Sequence, residues 1–219
     1  MKKKSSINWP DHLVNLLVVV VGISIAFYLE EWKSSTAQIK DEIQILTALD
    51  ESLEYDGILL DTLITINKEV LQVTSELSRF HTKEIPDSLA FKIYRIFYLN
   101  PFAPQVSTYE SMKLSGSIRS IENFELKSQI LELYENYYHG TKEFDRFQEE
   151  YLTSFYRPYV INDIVWPKGK LDDSFLSDGK FKNIIIPLQN ILGGKMDYFL
   201  TVREQIDSTR TMINNHLNH

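Results

Sequence analysis

The chain has 219 residues, with 23 basic and 30 acidic side chains and no cysteine. Its hydrophobic and charged fractions, 43% and 24%, exclude a disordered, collagen-like or disulfide-stapled chain. The lack of cysteine also excludes thiol catalysis and cysteine-ligated zinc or iron–sulfur sites. With only 8 glycines and 7 prolines against 12 tyrosines and 12 phenylalanines, the composition predicts long regular elements packed through aromatic side chains.

The first predicted element is a membrane-spanning helix at residues 13–29. This run has seventeen residues and no charged side chain, which is the short end of the range for a transmembrane helix. Trp9 and Trp32 flank it at a helical distance of about 35 Å, close to the separation of the two membrane interfaces that tryptophan prefers. Within the run, Gly22, Ser24 and Ala26 provide small side chains beside which another membrane helix can pack closely.

The charges on either side of this run predict its orientation. Three lysines at residues 2–4 precede it, whereas Glu30 and Glu31 follow it. By the positive-inside rule, residues 1–12 are predicted to be cytoplasmic and residues 30–219 to form an extracytoplasmic, periplasmic domain. The chain is therefore predicted to cross a membrane once.

Two alternatives to a membrane anchor remain open. A cleaved signal peptide would explain the basic start, the apolar core and the small residues of Ser24-Ile25-Ala26. Against it, Phe27, Tyr28 and Leu29 continue the apolar run beyond the cleavage site. A buried helix of a soluble protein is the other alternative, although little that is polar interrupts the run.

The charge of the remaining chain bears on its partners. Residues 1–29 contain three lysines and one aspartate, so residues 30–219 are more acidic than the formal charge of −7 of the whole chain. An acidic domain is repelled by phosphate backbones, and we expect no nucleic-acid partner.

Apolar residues at three- and four-residue steps predict three long helices in the rest of the chain. The first extends over residues 33–80, the second over residues 123–156 and the third over residues 180–217. Arg157-Pro158 is expected to end the second helix, and residues 159–179 are expected to form an irregular connection.

Shorter elements are predicted between the first two long helices. A short amphipathic helix is expected near residues 89–97, ended by Asn100-Pro101. Ser107 and Glu110 have the spacing of a capping box, and Gly116 is suited to a helix C-cap. A helix cannot bury its own apolar stripe, so the long helices are predicted to pack against one another. The predicted fold class is therefore all-α: one N-terminal transmembrane helix continuing into an antiparallel bundle of long helices.

Two groups of residues resemble a known family. The first is Val21-Gly22-Ile23-Ser24-Ile25-Ala26 with Trp32, and the second is Thr108-Tyr109-Glu110 with Ser115-Gly116 and the stretch up to Asn123. In this order they resemble uncharacterised single-pass membrane proteins of Bacteroidota. The resemblance implies an inner-membrane anchor with a helical extracytoplasmic domain, and it implies no activity.

Candidate surface residues come from the two aromatic-rich regions. Tyr109 and Glu110 lie beside the proline-rich turns, and three tyrosines and one tryptophan follow along the second long helix and after it: Tyr134, Tyr137, Tyr138 and Trp166. They are candidates for a partner or ligand surface. The alternative interpretation is that they are caps and core aromatics, since each residue type has a local structural role.

No residue pattern predicts catalysis, a metal or a cofactor. His81 with Glu84, and Glu135 with His139, have helical spacing but do not form the repeated glutamate-x-x-histidine set of a di-iron bundle. Phosphate-binding loops, nucleophile elbows and dinucleotide fingerprints are also missing from the sequence.

The predicted function is therefore a membrane-anchored interaction or structural protein. It is expected to contact the lipid bilayer and either a second copy of itself or other inner-membrane proteins. The alternative is a ligand-binding sensor module that acts through a membrane partner.

Overall fold

The computed structural model describes residues 9–79, 88–164, 175 and 179–218. These residues contain no strand, and seven α-helices are assigned among them: α1 (Trp9–Arg79), α2 (Leu89–Ile96), α3 (Ser107–Ser115), α4 (Phe124–Glu132), α5 (Tyr138–Tyr151), α6 (Arg157–Asn162) and α7 (Gly179–Leu217). The predicted all-α fold class is confirmed.

The chain divides into two compact units, Met1–Ile45 and Leu46–His219. In the first unit the described residues belong to α1, and their side chains from residue 15 to residue 41 are all exposed. The exposed residues include large apolar side chains such as Leu16 at 64% and Phe27 at 71%.

The second unit is an up-down-up-down helical bundle whose second leg is broken. The first leg is the part of α1 after Ile45, the third is α4 to α6, and the fourth is α7. The second leg consists of α2, a stretch without regular structure at residues 98–106, and α3. The first and fourth legs are antiparallel. Asp50, near the start of the first leg, pairs with Arg210 near the end of α7, whereas Asn67, farther along the first leg, donates a hydrogen bond to the backbone oxygen of Leu192, nearer the start of α7.

Most buried positions on α1 follow a heptad pattern, with Ser52 and Gly57 buried beside it. The heptad positions recur in alternating steps of three and four: Leu46, Leu49, Leu53, Asp56, Leu60, Leu63, Asn67, Val70, Thr74 and Leu77. Apart from Ile184, the buried positions of α7 follow the same rule: Phe181, Ile185, Leu188, Leu192, Lys195, Phe199, Val202, Ile206, Thr209 and Ile213. This is the spacing at which long helices keep one face toward their neighbours.

The third leg contains two π turns, Leu133–Tyr137 and Leu152–Tyr156, which join α4, α5 and α6 into one helix. At each π turn the seam gains one residue: Leu133 and Tyr138 are five residues apart, with Tyr134 also buried between them, and Leu152 and Tyr156 are four apart where a step of three is due. A π turn takes up an inserted residue locally. The seam therefore stays on the core side throughout the leg.

The third leg ends later than the sequence predicts. Helix α6 continues through Pro158 to Asn162, and Tyr159 and Val160 are buried. A proline disrupts a regular helix by removing one hydrogen bond and by contacting the carbonyl of residue i−4. Here Pro158 follows directly after a π turn, where the regular α-helical pattern is already interrupted. The connection predicted at residues 159–179 therefore begins later, and most of it lies outside the described residues.

Candidate functional site

The backbone of the broken leg is held by two buried carboxylates. Asp56 of α1 accepts the backbone N–H of Gln105 at 2.8 Å, and Asp145 of α5 accepts that of Phe102 at 3.1 Å. Residues 98–106 have no helical partners for their N–H groups, and a buried N–H without an acceptor is costly. The two aspartates therefore fix the crossing of the second leg over the core.

Asp56 also joins a cluster of three tyrosines. Its second oxygen accepts the hydroxyl of Tyr138 at 2.7 Å, and Tyr138 lies edge-on to Tyr134, which stacks on Tyr109 with ring centroids 4.3 Å apart. Burial raises the pKa of Asp56, while the bonds from Gln105 and Tyr138 act in the opposite direction. Burial likewise raises the pKa values of the three tyrosines well above their ordinary value.

The outer end of this cluster reaches the surface at Glu135. Its carboxylate accepts the Tyr109 hydroxyl at 2.5 Å and pairs with Lys113 at 2.6 Å. The hydrogen bond from Lys113, followed by the one from Tyr109, lowers the pKa of Glu135. Helix α3 is thereby attached to the first π turn through a ring stack and a charged hydrogen bond.

The second π turn attaches α2 in a similar way. Tyr156 donates its hydroxyl to the backbone oxygen of Ile93 at 2.8 Å, and Arg157 donates to that of Phe97 at 2.8 Å. Arg157 also pairs with Glu149, and this hydrogen bond raises the pKa of the guanidinium. Each π turn thus holds one half of the broken leg.

A second buried polar cluster lies at Lys195. Its ammonium is 2.6 Å from Asp145 and 2.8 Å from Gln148, and the three side chains are buried. Burial lowers the pKa of Lys195, while the nearby Asp145 carboxylate partly offsets this effect. The pair lies in the heptad seam between α5 and α7, where a polar pair favours one register of the two helices.

The predicted surface residues fall into three groups. Tyr109, Tyr134 and Tyr138 are buried at 2%, 7% and 1% exposure, so they are core residues and present no surface to a partner. Glu110 is exposed and Tyr137 half-buried. Trp166 lies outside the described residues.

The predicted anchor residues lie in α1. Gly22, Ser24, Ala26 and Trp32 are all exposed, and a methyl group added at Gly22 would meet no atom within 4 Å. Trp9 is the first residue of the helix. Among the described residues, one helical stretch, Asn15–Arg79, contains a segment long and apolar enough to cross a membrane.

An apolar groove opens between α5 and α7 on the bundle surface. It has a volume of about 340 Å³ and is lined by Glu143, Phe144, Phe147, Asn190 and Ile191. The Phe147 side chain is 58% exposed. Among the described residues, no group of three or more histidine, aspartate or glutamate side chains is placed to hold a metal ion.

The polar core residues were not singled out by sequence reasoning. Asp56, Asp145 and Lys195 belong to the three- and four-residue spacing of buried positions, where a charged residue is unusual. A charged residue within that spacing was the sequence signal that could have identified them. A charged side chain at an otherwise apolar heptad position requires a buried partner.

A family model described as a family of unknown function, DUF6090, matches residues 15–151. The chain belongs to this family. The match begins inside the apolar segment of α1 and ends at the last residue of α5, so it includes the broken leg and both of its carboxylate anchors. No curated protein and no solved structure matches the chain. The prediction of an uncharacterised family is confirmed, and DUF6090 carries no assigned activity.

Proposed function

We propose that this DUF6090 protein is a single-pass membrane protein whose helical bundle binds other proteins, either a second copy or a larger inner-membrane complex. The observation that carries the proposal is the apolar segment at residues 13–29, in which Leu13 and all side chains of residues 15–29 are exposed. Elsewhere the long helices bury their apolar seams. A segment of this length, exposed and without charge, is stabilised by hydrocarbon at about 25 cal/mol per Å² of apolar surface.

The proposed orientation places the amino terminus in the cytoplasm and the bundle in the periplasm. The lysines at residues 2–4 and the pair Glu30 and Glu31 support it. On the membrane helix, Gly22 and Ala26 are one turn apart and leave room for a second helix. We also propose that proteins of this kind occur in Bacteroidota.

The groove lined by Phe144, Phe147 and Ile191 supports an interaction role for the bundle. Exposed aromatic side chains in an apolar groove are typical of protein-binding surfaces. A ligand-binding sensor would instead be favoured by an enclosed cavity in the bundle core that is large enough for a ligand. The cavity beside Lys195 has a volume of about 10 Å³, which admits nothing larger than a water molecule.

Membrane insertion and orientation are tested by thiol labelling. Because the chain has no cysteine, Ser5→Cys and Ser35→Cys each create a single reactive site. In intact spheroplasts, a membrane-impermeant maleimide should label the Ser35→Cys variant, and it should label the Ser5→Cys variant only after lysis. Extraction of the protein by alkaline carbonate, or labelling of both sites before lysis, would contradict the anchor.

Interaction is tested with a photo-crosslinking amino acid in the same membranes. Replacement of Phe147 should give crosslinked species, whereas replacement of the exposed Lys142 on the same helix serves as the control. A crosslink of twice the chain mass indicates a second copy, and any other mass indicates a different subunit. Crosslinks from neither position would contradict binding at this face.

A further inference from the structure

A small cavity lies where α1, α5, α7 and the broken leg meet. Its volume is about 10 Å³. The wall combines polar and apolar residues: Leu63, Ile66, Asn67, Val70, Tyr98, Asn100, Gln148, Lys195 and Phe199. Asn67, Gln148 and Lys195 are buried at 6%, 5% and 2% exposure, so their polar atoms are largely withdrawn from bulk solvent.

The hydrogen bonds at this wall are unequal. The Lys195 ammonium forms an ion pair with Asp145 at 2.6 Å and donates a hydrogen bond to Gln148 at 2.8 Å. The third acceptor is the backbone oxygen of Asn100 at 3.5 Å, which is longer than an ordinary hydrogen bond. A polar contact of this length beside a cavity is a common place for a bridging water.

Asn67 supplies a further acceptor. Its amide nitrogen donates to the backbone oxygen of Leu192 at 3.0 Å, and this bond leaves the side-chain oxygen to accept another proton. Together with Lys195 and Asn100, it gives the cavity both a donor and two acceptors. A buried water needs two to four such partners.

The size of the cavity decides which ligand it takes. A water molecule requires about 10–15 Å³ of such volume, and larger ligands require more. An anion is also disfavoured, because Asp145 already balances the charge of Lys195. We propose that this cavity is a binding site for one ordered water, held by Lys195, Asn67 and Asn100.

This water completes the solvation of the buried ion pair. An ammonium group withdrawn from solvent is costly unless all of its protons are hydrogen-bonded. The exposed side chain of Tyr98 lies at the outer edge of the cavity, which gives the water a route of exchange. The site therefore links α1, α7 and the broken leg through one molecule.

The test is a count of long-lived waters by oxygen-17 magnetic relaxation dispersion on the full chain in detergent micelles. Asn67→Leu removes a polar wall and fills the space, so we expect it to lose one water relative to the unsubstituted chain. Asn136→Leu makes the same chemical change at an exposed position and should lose none.

A crystal structure of the unsubstituted full chain gives an independent answer that does not depend on the folding of either variant. A density peak within hydrogen-bond distance of Lys195 Nζ and the Asn100 backbone oxygen is expected. An equal water count in folded Asn67→Leu, a monatomic ion at the peak, or a cavity without density would each overturn the proposal.

Discussion

Single buried polar side chains determine how the chain crosses its own core. Asp56 and Asp145 come from different legs, yet each accepts a backbone N–H from the same stretch of residues 98–106. Pro101 and Pro104 in that stretch have no N–H to satisfy, which reduces the number of acceptors required. The crossing is therefore specified by carboxylates on the helices and by prolines in the stretch they hold.

The raised pKa of Asp56 predicts a pH dependence of stability. Because burial raises the folded-state pKa above the unfolded value of 3.8, the folded protein binds the proton more tightly. The contribution of Asp56 to the unfolding free energy should therefore increase as the pH falls from the raised pKa to about 3.8, and should be lost as the pH rises through the raised pKa.

Asp56→Asn isolates this effect, since asparagine keeps an acceptor for Gln105 and cannot titrate. Urea unfolding of both proteins should show the free-energy difference moving in favour of Asp56 as the pH is lowered. A difference that is independent of pH, or one that moves in the opposite direction, would contradict the raised pKa.

Two glycines on the long helices are expected to respond oppositely to alanine. A Cβ at Gly140 would overlap the phenol of Tyr198, so Gly140→Ala should lower the unfolding free energy by about 1–3 kcal/mol. A Cβ at Gly193 would meet no atom within 4 Å, so Gly193→Ala should raise it by about 0.5–1 kcal/mol through helix propensity.

Chemical denaturation of the two variants in the same detergent checks this pair. Combining Gly140→Ala with Tyr198→Leu should recover part of the loss, because the smaller side chain removes the overlap. If Gly140→Ala were as stable as Gly193→Ala, the close approach of the two helices would be refuted.

At the scale of the elements, the two π turns keep the buried face of the third leg directed toward the neighbouring helices. The seams of α1 and α7 keep a three-four spacing, whereas the third leg carries one extra residue at each π turn. Both turns also attach a short helix, through the Tyr109–Tyr134 stack in one case and the Tyr156 and Arg157 hydrogen bonds in the other. The insertions therefore position the broken leg.

Deletion of Asn136 tests this interpretation. Asn136 is an exposed residue of the first π turn, and removing it restores a spacing of four between the seam residues Leu133 and Tyr138. We expect the shortened leg to form a continuous α-helix and to retain a cooperative thermal transition.

Deletion of Lys142, which is exposed in the regular helix α5, is the matched control. It rotates the following buried residues away from the core and should cost more than about 4 kcal/mol, the range of severe core disruption. Circular dichroism melts compare the two proteins. Equal losses in both deletions would show that the π turn does not hold an inserted residue.

Helix existence was largely predictable from sequence, whereas several boundaries were not. The three-four periodicity predicted the long legs, Asn123 caps the third leg by accepting the N–H of Leu126, and Gly116 has the positive φ of 79° expected at a C-cap. The capping box at Ser107 was wrong, because the backbone is already helical at Val106 and Ser107 lies inside α3. Periodicity also does not show whether a proline such as Pro158 follows a π turn.

The polar core escaped prediction for a different physical reason. One partner of Asp56 is a backbone N–H 49 residues away, and one partner of Asp145 is a backbone N–H 43 residues away. Every residue except proline has the same backbone N–H, so the residue type does not show which N–H a buried carboxylate will bind. Tyr109, Tyr134 and Tyr138 were candidates from two separate regions of the sequence, and their contact with one another was not predicted.

At the scale of the whole molecule, the two units use apolar surface in opposite ways. The long helices of Leu46–His219 bury their seams within the chain, so the seam of α1 from Leu46 to Leu77 is not available to a partner. Among the described side chains of Met1–Ile45, the apolar ones from residue 15 to residue 43 are exposed, Ile39 among them at 56%. Contacts with other molecules are therefore expected from the membrane segment and from the groove beside Phe147.

The carboxylate anchors of the broken leg also affect its motion. The amide protons of Phe102 and Gln105 lie in a stretch without regular structure, yet both are bonded to buried oxygens on the long helices. In hydrogen–deuterium exchange, these two amide protons should exchange as slowly as those of the core helices and more slowly than those of surface loops. Mass spectrometry of peptides covering residues 98–106 should then show slow isotope uptake, so the connection unfolds only when the bundle does.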